Sequence, residues 1–197
     1  MLIPKAICES LTDQEIIQKS LAEVDYFSCL FSRYEPRLLR YLKRMADLTE
    51  PEAEDILQEA FIKIWKNLHA FDQDMKLSSW IYRIVHNEAI SSMRKKKSFK
   101  KDQMTEWDES RLAGIPDDET ECCEDPAGDA DLLTRELLSQ LPLPYRQVLV
   151  LKFLENMSYE EISDVLKIPE GTVATRINRA KKTFRKLTSQ QHLSFDL

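Results

Sequence analysis

The chain has 197 residues, a formal net charge of −6, 43% hydrophobic residues and only 3 Gly. That length suits one or two small domains, and the absence of alternating β-branched runs predicts an all-α fold. The first twenty residues mix charges into apolar positions, no apolar run approaches the roughly 20 residues of a membrane span, and the four cysteines lack CxxC spacing; a signal peptide, a membrane span and a secreted disulfide framework are therefore not expected, and a reducing cytoplasm fits.

The net charge hides a segmentation. Residues 1–100 carry a balance of +1, residues 101–131 carry −10 and residues 132–197 carry +3. The acidity sits in the middle and leaves both flanks free to meet a polyanion. The expected organisation is two small helical domains, 24–100 and 132–187, joined by an acidic flexible linker, 101–131. An N-terminal extension (1–23) and a C-terminal tail (188–197) flank them.

In the first domain, Leu38, Leu39, Leu42 and Met45 recur at helical spacing. "LTEPEAEDILQEAFIKIW" then predicts a new helix, capped by Thr49 with Glu52 three residues later and Pro51 in the first turn. Its core stripe is Ala53, Leu57, Ala60, Phe61, Ile64 and Leu68. Ile62 lies roughly 140° from Leu57 at 3.6 residues per turn, on the side of Asp55, Gln58 and Trp65. Such a second, mixed face has two readings: a helix buried on two sides, or a docking face with Ile62 and Trp65 as anchors.

"HAFDQDMKLSS" reads as a loop and "SSWIYRIVHNEAISSMRKKK" as a third helix, capped by Ser78 or Ser79. Trp80, Tyr82, Arg83, His86 and Arg94–Lys97 interleave aromatics with cations. That suits single-stranded DNA, in which bases stack on rings while cations follow phosphates. A core position is the alternative for Trp80.

From residue 101 to 131 the periodicity collapses into carboxylates with Gly114, Pro116, Pro126 and Gly128. At full extension this linker spans roughly 100 Å. Cys122 and Cys123 lie here among carboxylates that disfavour the thiolate, so inert thiols are expected.

The second domain opens with "LLTRELLSQL", a helix interrupted by Pro142 and Pro144, and continues with "YRQVLVLKFLE". "SYEEISDVLK" carries a capping box, Ser158 with Glu161. "IPEGTVATRINRAKKTFRK" (Ile168–Lys186) holds six Lys/Arg, with Lys167 just before it. Two short helices around the Lys167–Ile168–Pro169 turn make a helix-turn-helix, whose second helix enters a major groove. Val173, Ile177, Ala180 and Phe184 form its buried stripe. Thr172, Thr175, Arg176, Arg179, Lys182 and Thr183 lie largely off it, available to phosphates and base edges. The backbone amides of Gly171 and Thr172, at the helix start, favour a phosphate. A solvated basic face is the alternative reading.

"LPLPYRQVLVLKFLENMSYEEISDVLKIPEGTVATRINRAKK" closely resembles the promoter-binding C-terminal domain of bacterial RNA polymerase sigma factors, with the extracytoplasmic-function (ECF) group nearest. Leu141-Pro142, Arg146, Tyr159-Glu160-Glu161-Ile162, Ile168-Pro169, Gly171-Thr172-Val173 and Arg176 carry the likeness. Lys167 stands where the family often has Gly, and Ala174 where a basic residue is common. The resemblance implies that Gly171, Thr172, Ala174, Thr175, Arg176, Asn178, Arg179 and Lys182 face the minus-thirty-five element.

"AEDILQEAFIKIW" looks like the sigma segment that grips the clamp helices of core polymerase. This implies docking through Asp55, Gln58, Glu59, Ile62 and Trp65. "SSWIYRIVHNEAISSMRKKK" is similar to the segment that recognises and opens the minus-ten element, and the loop at about 70–77 resembles the one that captures a flipped base. Phe71, Asp72, Lys76, Ser79, Trp80, Arg83, His86, Asn87 and Arg94 are the implied contacts. The likeness covers about 24–97 and 132–187.

The linker does not match; its twelve carboxylates imitate a polyanion in a polymerase channel or serve as a solubilising spacer. The implied function is a sigma factor, and the implied partners are core polymerase (clamp helices and flap), promoter DNA and an anti-sigma factor. No cofactor, metal or enzymatic activity is expected: His69, His86 and His192 lack ligand spacing, and no phosphate-cradling or nucleophile motif is present.

Overall fold

The computed structural model describes residues 3–46, 48–72, 75–99 and 136–190. The acidic linker, Cys122–Cys123, His192 and the residues after 190 lie outside this set. Among the described residues all regular structure is helical, as the sequence predicts. The chain divides into two compact units, Met1–Lys43 with Leu48–Lys95, and Arg44–Asp47 with Lys96–Leu197.

The first unit holds α1 (Lys5–Ser10), α2 (Asp13–Ala22), α3 (Phe27–Met45) as far as Lys43, α4 (Glu50–Asn67) and α5 (Leu77–Phe99) as far as Lys95. Helix α4 starts where its local chemistry dictates. Thr49 and Glu52 close the capping box, with the Thr49 amide donating to Glu52 Oε2 at 2.9 Å. Its buried residues are Ala53, Ile56, Leu57, Ala60, Phe61 and Ile64. The predicted stripe gains Ile56. Pro36 interrupts the hydrogen bonding of α3, but it is exposed, as is Ser32 four residues earlier, so water can serve the freed carbonyl. Leu30, Leu38, Tyr41 and Leu42 of α3, Ile64 and Leu68, and Ile81 and Tyr82 of α5 are excluded from solvent, and the Tyr41 and Tyr82 rings lie 5.1 Å apart.

Residues 5–22 are more than an extension. Arg33 on α3 donates from Nη2 to the carbonyls of Cys8 and Leu11 at 2.7 and 2.6 Å, and from Nη1 to Asp13 Oδ1 at 2.6 Å. Tyr34 donates its hydroxyl proton to Asp13 Oδ2 at 2.7 Å. Burial, reinforced by that carboxylate, pushes the Tyr34 phenol upward in pKa, so it stays a donor. A disulfide joins Cys8 to Cys29, with their Cα atoms 4.9 Å apart. The spacing of the cysteines does not announce this pairing, because it is made across two helices.

The expected serine cap of α5 is corrected: the helix begins at Leu77, and the Lys76 carbonyl accepts from the Trp80 amide at 3.2 Å. Ser78 and Ser79 are thus inside the first turn.

In the second unit, α6 (Leu143–Leu149) runs into a π-helical turn (Val150–Leu154) and is followed by α7 (Tyr159–Leu166) and α8 (Glu170–Gln190). Pro144 occupies the first turn of α6, where its missing amide costs nothing, so the break lies ahead of Leu143. Leu137, Leu141, Val148, Leu151, Ile162, Val165, Val173, Ile177, Ala180 and Phe184 form the core.

Candidate functional site

The outer face of α4 presents Asp55, Gln58 and Glu59, all exposed. On the same face Ile62 is 47% exposed and Trp65 37% exposed. The Trp65 ring is supported from beneath by Phe27, at 5.1 Å between centroids, and Phe27 stands edge-on to buried Phe61 at 6.2 Å. Ile62 is more exposed than Trp65. Two large apolar side chains thus stand exposed among polar groups on one helix, and the exposure of Ile62 disagrees with a helix buried on two sides.

Along α5, Trp80, Arg83, Asn87 and Arg94 fall on one face, over a rise of about 21 Å. Trp80 and Arg83 are half-buried, while Asn87 and Arg94 are exposed. The Trp80 ring lies 5.2 Å from the ring of Phe71 in the preceding segment, so an aromatic pair closes one end of this basic ladder. Asp72 and Lys76 are exposed beside it.

Two residues placed in the same set do not join it. Ser79 is 1% exposed and His86 6% exposed. His86 Nδ1 sits 2.8 Å from the hydroxyl of buried Tyr41, and burial lowers its pKa to about 4, so the ring is neutral. Tyr82 is fully buried too, its ring 5.1 Å from that of Tyr41. These side chains belong to the core that holds α5, and none is available to DNA without opening the packing.

The helix-turn-helix is built as its sequence implies. The Glu161 amide donates to Ser158 Oγ at 3.1 Å, and the Ser158 amide to Glu161 Oε2 at 2.7 Å, which starts α7. Lys167 then takes the left-handed conformation, φ 55° and ψ 46°. This is the backbone shape that favours glycine. Ser163 ties the turn by donating to the Ile168 carbonyl at 2.7 Å.

On α8, Val173, Ile177, Ala180 and Phe184 are buried. The opposite side opens into a shallow cleft of about 410 Å³ lined by Gly171, Thr172, Thr175, Arg176 and Arg179. Lys182, Asn178 and Ala174 lie outside this cleft; Asn178 is exposed and the other two are half-buried. Thr175 donates to the Gly171 carbonyl at 2.9 Å, which leaves its oxygen lone pairs as acceptors. One expectation needs correction: the Thr172 amide donates to the Pro169 carbonyl at 2.9 Å, so it is not free for a phosphate.

Arg146 is 6% exposed, and its Nη2 donates to the carbonyls of Ser139 and Leu141. It closes the turn ahead of α6. These two partners are backbone carbonyls, which leave no trace in side-chain patterning.

The comparisons with known proteins agree with this geometry. The family described as Sigma-70 region 2 matches residues 30–99, and Sigma-70, region 4 matches residues 132–184. The ECF RNA polymerase sigma factor SigW of Bacillus subtilis (strain 168) is 33% identical over 187 residues, covering 90% of this chain and 97% of that protein. The ECF RNA polymerase sigma-E factor of Escherichia coli (strain K12) is 28% identical over 187 residues, covering 88% and 93%. Among solved structures, CnrH in complex with the cytosolic domain of CnrY is similar in fold, with a TM-score of 0.66 at 21% identity, covering 90% of this chain and 97% of that one. Sigma factor RpoE in complex with the anti-sigma factor NepR from Bartonella quintana gives a TM-score of 0.64 at 22% identity, covering 83% and 96%. Both the two-unit architecture and the matched regions lead to one assignment: the chain belongs to the ECF sigma factors, which direct promoter-specific transcription initiation.

Proposed function

We propose that the two units divide the promoter between them while the first also holds the polymerase. The exposed pair Ile62 and Trp65 carries this reading. Its apolar area, framed by Asp55, Gln58 and Glu59, suits a partner that brings its own apolar groups and cations. The clamp helices of core polymerase are that partner. Phe71, Asp72, Lys76, Trp80, Arg83, Asn87 and Arg94 follow the unstacked strand of the minus-ten element. Gly171, Thr172, Thr175, Arg176 and Arg179 meet the minus-thirty-five duplex, with Asn178 and Lys182 at the edges of the same helix; Ala174 offers only a methyl contact.

Binding energy, not bond chemistry, drives the opening of DNA in this scheme. Unstacking a base costs a few kcal/mol, which stacking at about 1–3 kcal/mol per base offsets. The working domains are 24–100 and 132–187. The linker 101–131 spans between promoter elements, with its carboxylates occupying a channel meant for nucleic acid. The second unit rests on the polymerase flap, and an anti-sigma factor holds the protein idle. The protein acts in the cytoplasm as a non-enzymatic factor.

The test is transcription by core polymerase with and without the purified protein, on a library of promoter fragments. Transcripts from a defined subset, sharing two spaced elements, are expected. Binding to duplex DNA with no stimulation of the polymerase would instead indicate a repressor.

A further inference from the structure

A cleft of about 360 Å³ lies in the first unit between α2 and the segment leading into α5. Asp13, Gln14 and Ile17 line one side, and Phe71, Met75 and Lys76 are on the other. Its volume is near the lower end for small-ligand sites, about 300–1,000 Å³, which leaves room for one base. The aromatic and apolar parts are Phe71, backed by Trp80 at 5.2 Å, with Met75 and the largely buried Ile17. That combination suits the face of an unstacked base.

The polar groups on the α2 side differ in availability. Both oxygens of Asp13 are engaged, one by Arg33 at 2.6 Å and one by Tyr34 at 2.7 Å. Asp13 therefore fixes the wall. Gln14 is exposed, and its side chain makes no hydrogen bond with any described residue. A glutamine amide offers two donors and an acceptor side by side. Every base edge presents adjacent groups that such an amide can pair in a bidentate manner. The wall is also anchored to α3: Arg33 grips the carbonyls of Cys8 and Leu11 and one oxygen of Asp13, and Tyr34 holds the other. Gln14 is therefore presented by a preorganised helix, which keeps the ordering cost of a contact low.

We infer that α2 supplies the second wall of the base pocket and that Gln14 is a specificity-determining residue for the captured base. The inference rests on the proposed base capture by the loop at 70–77, and it assigns part of the reading to a helix outside that loop.

The experiment selects short single-stranded DNA from a random pool on the holoenzyme, and then measures affinity for the four bases at each position of the selected motif. Holoenzyme containing the native chain should prefer one base at one position by about tenfold, the value of a bidentate pair. Gln14→Ala should reduce that preference to within about twofold at this position only, with core polymerase binding and the other positions unchanged. Gln14→Glu, which loses the donors, should change the order of bases there. If Gln14→Ala keeps the native preference at every position, α2 reads nothing and the inference falls, while base capture by the loop stands. If the native holoenzyme selects no single strand at all, base capture itself fails and takes the inference with it.

Discussion

The hydroxyl of Tyr41 and Nδ1 of His86 lie 2.8 Å apart, joining α3 to α5 inside the core of the first unit. Burial disfavours the charged imidazole and lowers the His86 pKa to about 4. An unfolded histidine titrates near 6.5. Between these values the unfolded chain binds a proton that the folded chain refuses. Stability therefore falls as pH drops from 6.5 towards 4, and levels off below that for this group. Urea titrations should show a loss of about 2 kcal/mol between pH 6.5 and pH 5. His86→Asn should be less stable at neutral pH and lose distinctly less on acidification. An equal pH slope in both proteins would remove His86 as the cause.

Lys167 holds a left-handed conformation that costs a side-chain-bearing residue about 1 kcal/mol. Lys167→Gly relieves that strain, against some added freedom in the unfolded chain. The expected net result is a gain of about 0.5–1 kcal/mol in the unfolding free energy of the second unit. DNA affinity should stay within about twofold, because Lys167 stands outside the cleft on α8. A loss of stability would mean that the turn relaxes in solution.

The Cys8–Cys29 bond spans 21 residues of sequence. Closing a loop of that size stabilises by about 3 kcal/mol in the chain-entropy picture. Counting reactive thiols in denaturant should give two without reductant and four with it, since the chain has four cysteines. The reduced protein should remain folded at a lower urea midpoint, its two buried thiols packing as small apolar groups. In the reducing compartment proposed for the protein that reduced form prevails. Four reactive thiols under both conditions would show that the bond does not form.

How much of this was legible beforehand depended on the range of the interactions. The capping boxes at Thr49 and Ser158 involve residues three apart, so the helix starts of α4 and α7 were readable. The left-handed Lys167 was legible only through the resemblance, which puts it where the family often has Gly. The places of Ser79, His86 and Tyr82 were not readable, because an aromatic–cation pattern does not say which members point into a core. For His86 and Tyr82 the inward partner is Tyr41, some forty residues away. The grip of Arg33 on α1 and α2 and of Arg146 on the turn before α6 were equally silent, since their partners are mostly backbone carbonyls.

On the duplex side, Arg176 and Arg179 line the cleft with Gly171. Arg176→Ala should reduce the slope of log affinity against log salt by about 0.9, one phosphate contact. Gly171→Ala is a cleaner probe, because a Cβ there meets nothing within 4 Å in the free protein. It should leave the fold intact, or slightly firmer through the helix preference of alanine, and weaken only DNA binding. Footprinting on an upstream element reports both effects; unchanged affinity in both variants would move the DNA away from this cleft.

The most direct measurement is co-elution of the native chain and of Ile62→Asp with bacterial core polymerase on size exclusion. Ile62 is 47% exposed, so the aspartate should leave the urea midpoint nearly unchanged. The account predicts that the native chain travels with the polymerase and that Ile62→Asp elutes alone, still folded. A native chain that never joins the polymerase, or a folded Ile62→Asp that joins it as well as the native chain does, would contradict it.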